Sequence, residues 1–234
     1  MLHVVLCMFV QYALAFMKKY IVLIFCIALS TIAVAQKKKV ILTTSYGKIE
    51  IMLYDKTPKH RDNMLKLVKQ KFYDSLLFHR IIPEFVIQGG DPKSKHARPQ
   101  ETLGNGDVGY RIPAEINEEY FHRRGAVGMA RDDNPEKASS GCQFYIVVGK
   151  KVTDEMLDKV AKNNERVFTQ EQREVYKKDG GTPHLDGRYT VFGMVTKGMN
   201  VVDTISKLPR DANNRPNQNV IMYRVRIKKK FWFF

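Results

Sequence analysis

The sequence predicts a mainly β domain interrupted once by a helical insertion, and three observations carry that reading. Short runs rich in Val, Ile, Phe and Tyr recur between breaks bearing Gly, Pro and Asp, the punctuation of strands and turns. The domain opens with a hairpin and a helix and closes with a helix and a strand. Between residues 150 and 181 the β pattern stops and helix-capping signals replace it. A composition of 44% hydrophobic and 27% charged residues over 234 positions suits one well-filled globular core.

The first 35 residues are of a different kind. Met17-Lys18-Lys19, an apolar run from Tyr20 and the ending Ala33-Val34-Ala35 before Gln36 have the n-region, core and cleavage site of a secretory signal. Residues 1–16 then read as an over-extended start, 17–35 as the signal peptide and 36–234 as a single domain. The apolar run of about 16 residues falls short of the roughly 20 that a membrane span needs, so membrane association is expected only if the segment stays uncleaved. An exported, periplasmic and monomeric protein is the expectation. Losing Cys7 and Cys26 with the signal leaves Cys142 without a disulfide partner. Losing Lys18 and Lys19 lowers the formal charge from +15 to +13, and that excess is scattered, with no interleaved aromatic and basic stripe. A nucleic-acid partner is therefore not expected.

Taken in order, Val40 to Leu53 reads as a hairpin around Ser45-Tyr46-Gly47-Lys48. Thr57-Pro58 supplies an N-cap and an N1 proline for a helix carrying Met64, Leu65 and Val68 as far as Gln70. Phe72-Tyr73 returns the chain to strand. Phe78 to Asp91 reads as two strands about a bend at Pro83-Glu84, and residues 93–109 as loop. Gly125–Ala130 and Gly141–Val148 are two more strands. Within the insertion, Thr153 can cap a helix carrying Met156, Leu157, Val160 and Ala161, and Thr169 with Gln172 forms a capping box for a second. Tyr189–Val195 resumes as strand, Met199–Leu208 as helix, and Val220–Ile227 closes the domain.

Candidate chemistry is sparse. Gly104-Asn105-Gly106-Asp107-Val108-Gly109 fits the dinucleotide fingerprint but lacks the strand before it and the helix after it, so no cofactor is expected. The histidines show no metal-ligand spacing, so no metal is expected either. Cys142 lacks a defensible base partner and reads as a small packed thiol. What stands out is Arg80 and Gln88 inside apolar strands. A guanidinium and an amide there are costly unless a ligand or partner uses their hydrogen bonds.

Phe78-His79-Arg80-Ile81-Ile82-Pro83 with Gln88-Gly89-Gly90-Asp91, then Gly128-Met129-Ala130, Gly141-Cys142-Gln143-Phe144-Tyr145-Ile146, Leu185-Asp186-Gly187 and Val191-Phe192-Gly193 resemble the cyclophilin family of peptidyl-prolyl isomerases, in order, over residues 38–228. The resemblance implies a closed eight-stranded antiparallel barrel capped by two helices. It implies Arg80 as the catalytic group and a substrate groove built from Phe85, Val86, Gln88, Ala130, Gln143, Tyr145, His184, Leu185 and Tyr189. Proline-containing peptides and unfolded exported proteins are the implied substrates. Val86, Tyr145 and Tyr189 stand where Met, Phe and His are usual, and keep an apolar or aromatic wall. Arg131 stands where an Asn is usual. His184 replaces a Trp that binds cyclosporin in sensitive members, so weak cyclosporin binding is expected. The family also crosses from the Gln-Phe-Phe strand to the Leu-Asp-Gly turn in a few residues. The insertion here ends beside His184, where it either lines the groove or decorates the surface.

Overall fold

Alternating burial along Lys39–Thr44 and the apolar run of Gly47–Leu53 make two strands, β1 and β2, paired through the Ser45-Tyr46 turn. The structure, a computed structural model, describes Met17, residues 38–99 and residues 101–229. The rest of the signal segment and the aromatic tail Phe231–Phe234 lie outside the described residues. After β2 come helix α1 (Pro58–Lys69), strands β3 (Leu76–Ile82) and β4 (Val86–Gly89), and a 3₁₀ turn at Pro92–His96. The short β5 (Arg111–Ile112) pairs with β7 (Ser139–Ser140), while β6 (Ala126–Met129) and β8 (Phe144–Val147) belong to the main sheet. The insertion holds α2 (Asp154–Asn164) and α3 (Gln170–Lys178); a 3₁₀ turn at Pro183–Leu185, β9 (Val191–Lys197), α4 (Met199–Ser206) and β10 (Ile221–Ile227) follow.

Eight strands close into an antiparallel barrel in the order β1-β10-β3-β4-β8-β6-β9-β2, as the resemblance implied. One core fills it, with Leu42, Ile51, Phe78, Ile81, Ile87, Ile146 and Phe192 among its buried members. Helix α1 adds Met64, Leu67 and Val68 to that core, and α4 adds Val202 and Ile205.

Two local expectations change. Thr57 does not cap α1 with its side chain. The Glu115 carboxylate does, accepting from the N–H groups of Lys59 at 3.0 Å and His60 at 2.9 Å. An anion from a distant segment answers both the unpaired amides and the helix dipole, and no local motif announces it. Phe72-Tyr73 is turn, not strand: Lys71 and Ser75 take positive φ of 58° and 69°, and pairing starts only at Leu76. Tyr73 is fully buried as a core anchor, edge-on to Phe144, with its hydroxyl on the Cys142 carbonyl at 3.1 Å.

In the insertion, Thr153 accepts from Met156 N, and Thr169 with Gln172 forms the reciprocal capping box. Leu157 is buried, but Met156 faces solvent at 42% exposure. The insertion builds a small second core from Val152, Leu157, Phe168 and Tyr176, against which Phe121 also packs.

Candidate functional site

Strand register sets the site. Arg80 pairs with Gln88, Gln88 with Tyr145, and Tyr145 with Gly128, one transverse row across β3, β4, β8 and β6. The neighbouring row, Ile81, Ile87, Ile146 and Val127, belongs to the barrel core. Side chains alternate faces along a strand, so the Arg80 row lies on the outside of the barrel. There a second apolar cluster gathers Val86, Tyr145, Val147, Leu185 and Val191, with Phe85, Ala130 and Tyr189 against it. Both faces of β4 and β8 are thus covered, which is why their sequences are continuously apolar instead of alternating.

Arg80 is half-buried at the edge of this cluster. Its Nη1 donates to Gln88 Oε1 at 3.2 Å, and its guanidinium lies 5.9 Å from the centre of the Phe85 ring. Burial pulls its pKa down from the usual guanidinium value. Gln88 Nε2 donates in turn to Gln143 Oε1 at 3.1 Å. Gln143 spends its own amide hydrogens on the carbonyls of Gly104 and Gly106, at 2.9 and 2.7 Å. His184 stacks on Phe85, and Arg131 lies 4.9 Å over the Tyr189 ring while donating to the Arg188 carbonyl. The structure therefore brings together every residue of the expected groove, with Gln143 as the brace behind Gln88.

A cleft of about 710 Å³ adjoins the cluster without coinciding with it: Gln88, Ala130 and Gln143 line it together with Tyr110 and Arg131, but Phe85, Tyr145 and Leu185 do not. Part of its wall is the Gly104–Gly109 loop that mimics a nucleotide fingerprint. The loop closes on the protein's own Asp91, whose Oδ2 accepts from Gly104 N at 2.5 Å and Gly106 N at 3.3 Å. A Cβ at Gly106 would collide with that carboxylate, so the glycine serves this close approach.

Under the cluster runs a buried polar chain that sequence reading missed. Tyr145 is 4% exposed, and its hydroxyl lies 2.8 Å from His122 Nε2. His122 Nδ1 lies 2.6 Å from Asp186 Oδ1, which also accepts the His122 backbone N–H at 2.8 Å. A carboxylate only accepts, so Nδ1 carries a proton toward Asp186, while Nε2 meets the Tyr145 hydroxyl. Asp186 Oδ2 accepts from Tyr176 at 2.7 Å. Each such bond to a buried carboxylate contributes about 1.5–3 kcal/mol. The available signal was the replacement of Phe by Tyr at 145, since a buried phenol demands a partner.

The family model for cyclophilin-type peptidyl-prolyl cis-trans isomerases matches residues 39–227. The chain belongs to this family. Its activity is accordingly prolyl isomerisation. A Staphylococcus epidermidis protein named for that activity is 31% identical over 192 residues, covering 82% of this chain and 92% of its own. A Streptococcus pyogenes protein named as a bifunctional phosphatase and prolyl isomerase is 35% identical over 193 residues, covering 81% of this chain. The match spans only 38% of that protein's length. Two crystal structures of a Cryptosporidium parvum cyclophilin-type isomerase superpose with TM-scores of 0.63 and 0.59 at 24% identity, covering 83% and 82% of this chain and 99% of theirs. The second was determined in the presence of the dipeptide Ala-Pro.

For a cyclophilin, the inventory of the outer face fits the reaction. An X-Pro bond prefers trans by only about 0.5–1 kcal/mol, but turning it breaks amide resonance against a barrier of roughly 18–20 kcal/mol. No nucleophile is required. Cys142 is fully buried, and burial raises its thiol to about 11.

Proposed function

We propose that Arg80 lowers the rotation barrier in this cyclophilin while the Phe85, Tyr145 and Leu185 cluster takes the prolyl ring. The single observation that carries this is the pairing of Arg80: its one side-chain hydrogen-bond partner among the described residues is the neutral Gln88, and no carboxylate neutralises it. Its charge and remaining N–H groups are therefore open to a substrate. As the imide twists, its nitrogen pyramidalises and loses conjugation. A guanidinium held on the prolyl carbonyl and near that nitrogen stabilises the twisted state more than either planar one. Lysine would not substitute, because the planar fork and several fixed donors are used. Gln88 holds the peptide backbone beside it. The Ala-Pro dipeptide present with the Cryptosporidium cyclophilin supports proline-containing peptides as the substrate class here.

The test is cis–trans exchange of an Ala-Pro peptide followed by NMR, with the chain from Gln36 and its Arg80→Ala variant. The expected result is a loss of about 10²–10³ in catalysed exchange with peptide binding retained. If both proteins bind the peptide and neither accelerates exchange, the outer face is a binding surface and Arg80 has no catalytic part.

The same reading places the protein outside the cytoplasm, in the periplasm of a two-membrane cell, assisting unfolded exported proteins. The Met17–Ala35 signal pattern supports it. Mass spectrometry of the mature chain is expected to find Gln36 at its N-terminus; an intact Met17 in the membrane fraction would mean an anchor.

A further inference from the structure

The helical insertion leaves and rejoins the barrel at one point. Lys150 and Gly181 form an antiparallel bridge, with Gly181 N–H donating to the Lys150 carbonyl at 3.0 Å. Between them the insertion packs a small core around Leu157 and Tyr176, with Phe121 from outside it against that core. Such an excursion has no need to reach the outer face of the barrel, and none of its residues joins the apolar cluster around Phe85. Yet three of its side chains converge on one short turn, Pro183–Asp186. Asn164, the last residue of α2, donates Nδ2 to the carbonyls of His184 at 3.0 Å and Asp186 at 3.1 Å. Tyr176 of α3 donates to Asp186 Oδ2. Arg166, between the helices, brings Nε to 3.7 Å from the same oxygen and holds the Glu118 carbonyl with Nη2.

That turn carries both walls that close the cluster. His184 stacks on Phe85, and Leu185 is buried among Val86, Tyr145 and Val191. Within the turn, backbone bonding consists of Leu185 N to Thr182 O and Asp186 N to Pro183 O. The carbonyls of His184 and Asp186 find their partner, among the described residues, in Asn164 of the insertion. Asp186 extends the connection inward through His122 to the Tyr145 hydroxyl, which sits in the same row as Arg80 and Gln88. Gly128, opposite Tyr145, leaves the space its ring occupies.

We propose that the insertion is a brace for the proline pocket. It fixes the His184–Leu185 wall directly and the Tyr145 wall through Asp186 and His122, so that the pocket is formed before substrate arrives. Asn164 and Tyr176 are positioning residues, since neither belongs to the cluster. The inference rests on the assignment of the prolyl ring to the Phe85, Tyr145 and Leu185 cluster made above. It also carries a distinctive kinetic signature. Arg80 and Gln88 stand on paired strands β3 and β4, which among the described residues take no hydrogen bond from the insertion's side chains, so loosening the brace weakens binding in ground and transition states alike and leaves the on-enzyme step intact.

NMR lineshape analysis of an Ala-Pro peptide reads the dissociation constant and the on-enzyme exchange rate separately. Tyr176→Phe keeps the ring of the small core and removes one hydroxyl; Asn164→Ala removes both carbonyl contacts. In the full chain, each is expected to raise the dissociation constant about three- to tenfold, with the exchange rate within about twofold of wild type. The two effects should combine less than additively, because both act on one turn. Joining Lys150 to Gly181 directly, without residues 151–180, should give the largest effect of the same kind. An unchanged dissociation constant in both point variants overturns the brace, as does a fall in exchange rate with unchanged binding. Leu185→Ala separates this from the underlying reading. If it leaves binding unchanged, the pocket assignment itself fails; if it weakens binding while the two brace variants do not, only the brace fails.

Discussion

The imidazole of His184 lies on the phenyl ring of Phe85, ring centroids 5.4 Å apart and planes inclined by 21°. Burial lowers the His184 pKa, so the stacked ring is neutral at pH 7. Where the resemblance places an indole N–H for cyclosporin in sensitive members, this cyclophilin presents a ring whose face is committed to Phe85. Cyclosporin is therefore expected to bind weakly, with a dissociation constant above about 1 µM by calorimetry. His184→Trp should restore one hydrogen bond and tighten binding at least about tenfold. Nanomolar binding by the wild type would show that this position does not govern the drug.

Cys142 should be chemically inert in the native protein. Its side chain is buried, its pKa is pushed up to about 11, and its one side-chain hydrogen-bond partner among the described residues is Ser140 at 3.8 Å. Thiolate is the reacting form. With the chain from Gln36, where Cys142 is the single cysteine, a disulfide reagent at pH 8 should label less than about a tenth of the protein before unfolding and all of it in guanidinium. Fast labelling of the folded protein would mean that the segment leading into β8 opens locally.

The barrel was readable because its signals are local and redundant. The 45–48 turn, the bend at Pro83-Glu84 and the Thr169 capping box each state their own structure within a few residues. The grouping of Arg80 with Gln88 and Tyr145 was legible through the family motifs alone, because register between strands 8 to 57 residues apart leaves no periodic trace. What stayed hidden was polar and long-range. Glu115 reaches α1 across 55 residues, and His122 meets Asp186 across 64. No local pattern marks which carboxylate will meet which histidine.

Glu115 is therefore a stability residue that sequence reading would overlook. Its carboxylate accepts from two helix amides and lies 2.7 Å from His60 Nδ1, while His60 Nε2 meets Ser139 at 3.0 Å. Burial lowers the His60 pKa, so the ring is neutral and needs both partners. Glu115→Ala strands two amides and a buried N–H together. The expected loss is about 3 kcal/mol, a fall of roughly 6–12 °C in Tm. A loss below about 0.5 kcal/mol by denaturant titration would mean that solvent replaces the carboxylate without cost.

His79 supplies the pH dependence. It is 4% exposed beside Arg80, neither ring nitrogen has a hydrogen-bond partner among the described residues, and burial drops its pKa to about 4. In the unfolded chain the same ring titrates near its ordinary value of about 6.5. Above that value both states are neutral and the group adds no slope. Between about 6.5 and 4 the unfolded state binds a proton that the folded state refuses, so stability falls as pH falls through this window. Below about 4 both states are charged and the loss is complete, at about 3 kcal/mol. His60 and the carboxylates add slopes of their own, so the informative quantity is the difference from a variant without this ring. Wild type minus His79→Gln, measured by urea unfolding at pH 7, 6, 5 and 4.5, should decline by about 1 kcal/mol per pH unit below pH 6. Parallel curves would mean that the folded protein protonates His79 as readily as the unfolded chain does. In that case the positive charge beside Arg80 would be doubled at pH 5, and catalysed exchange should fall with it.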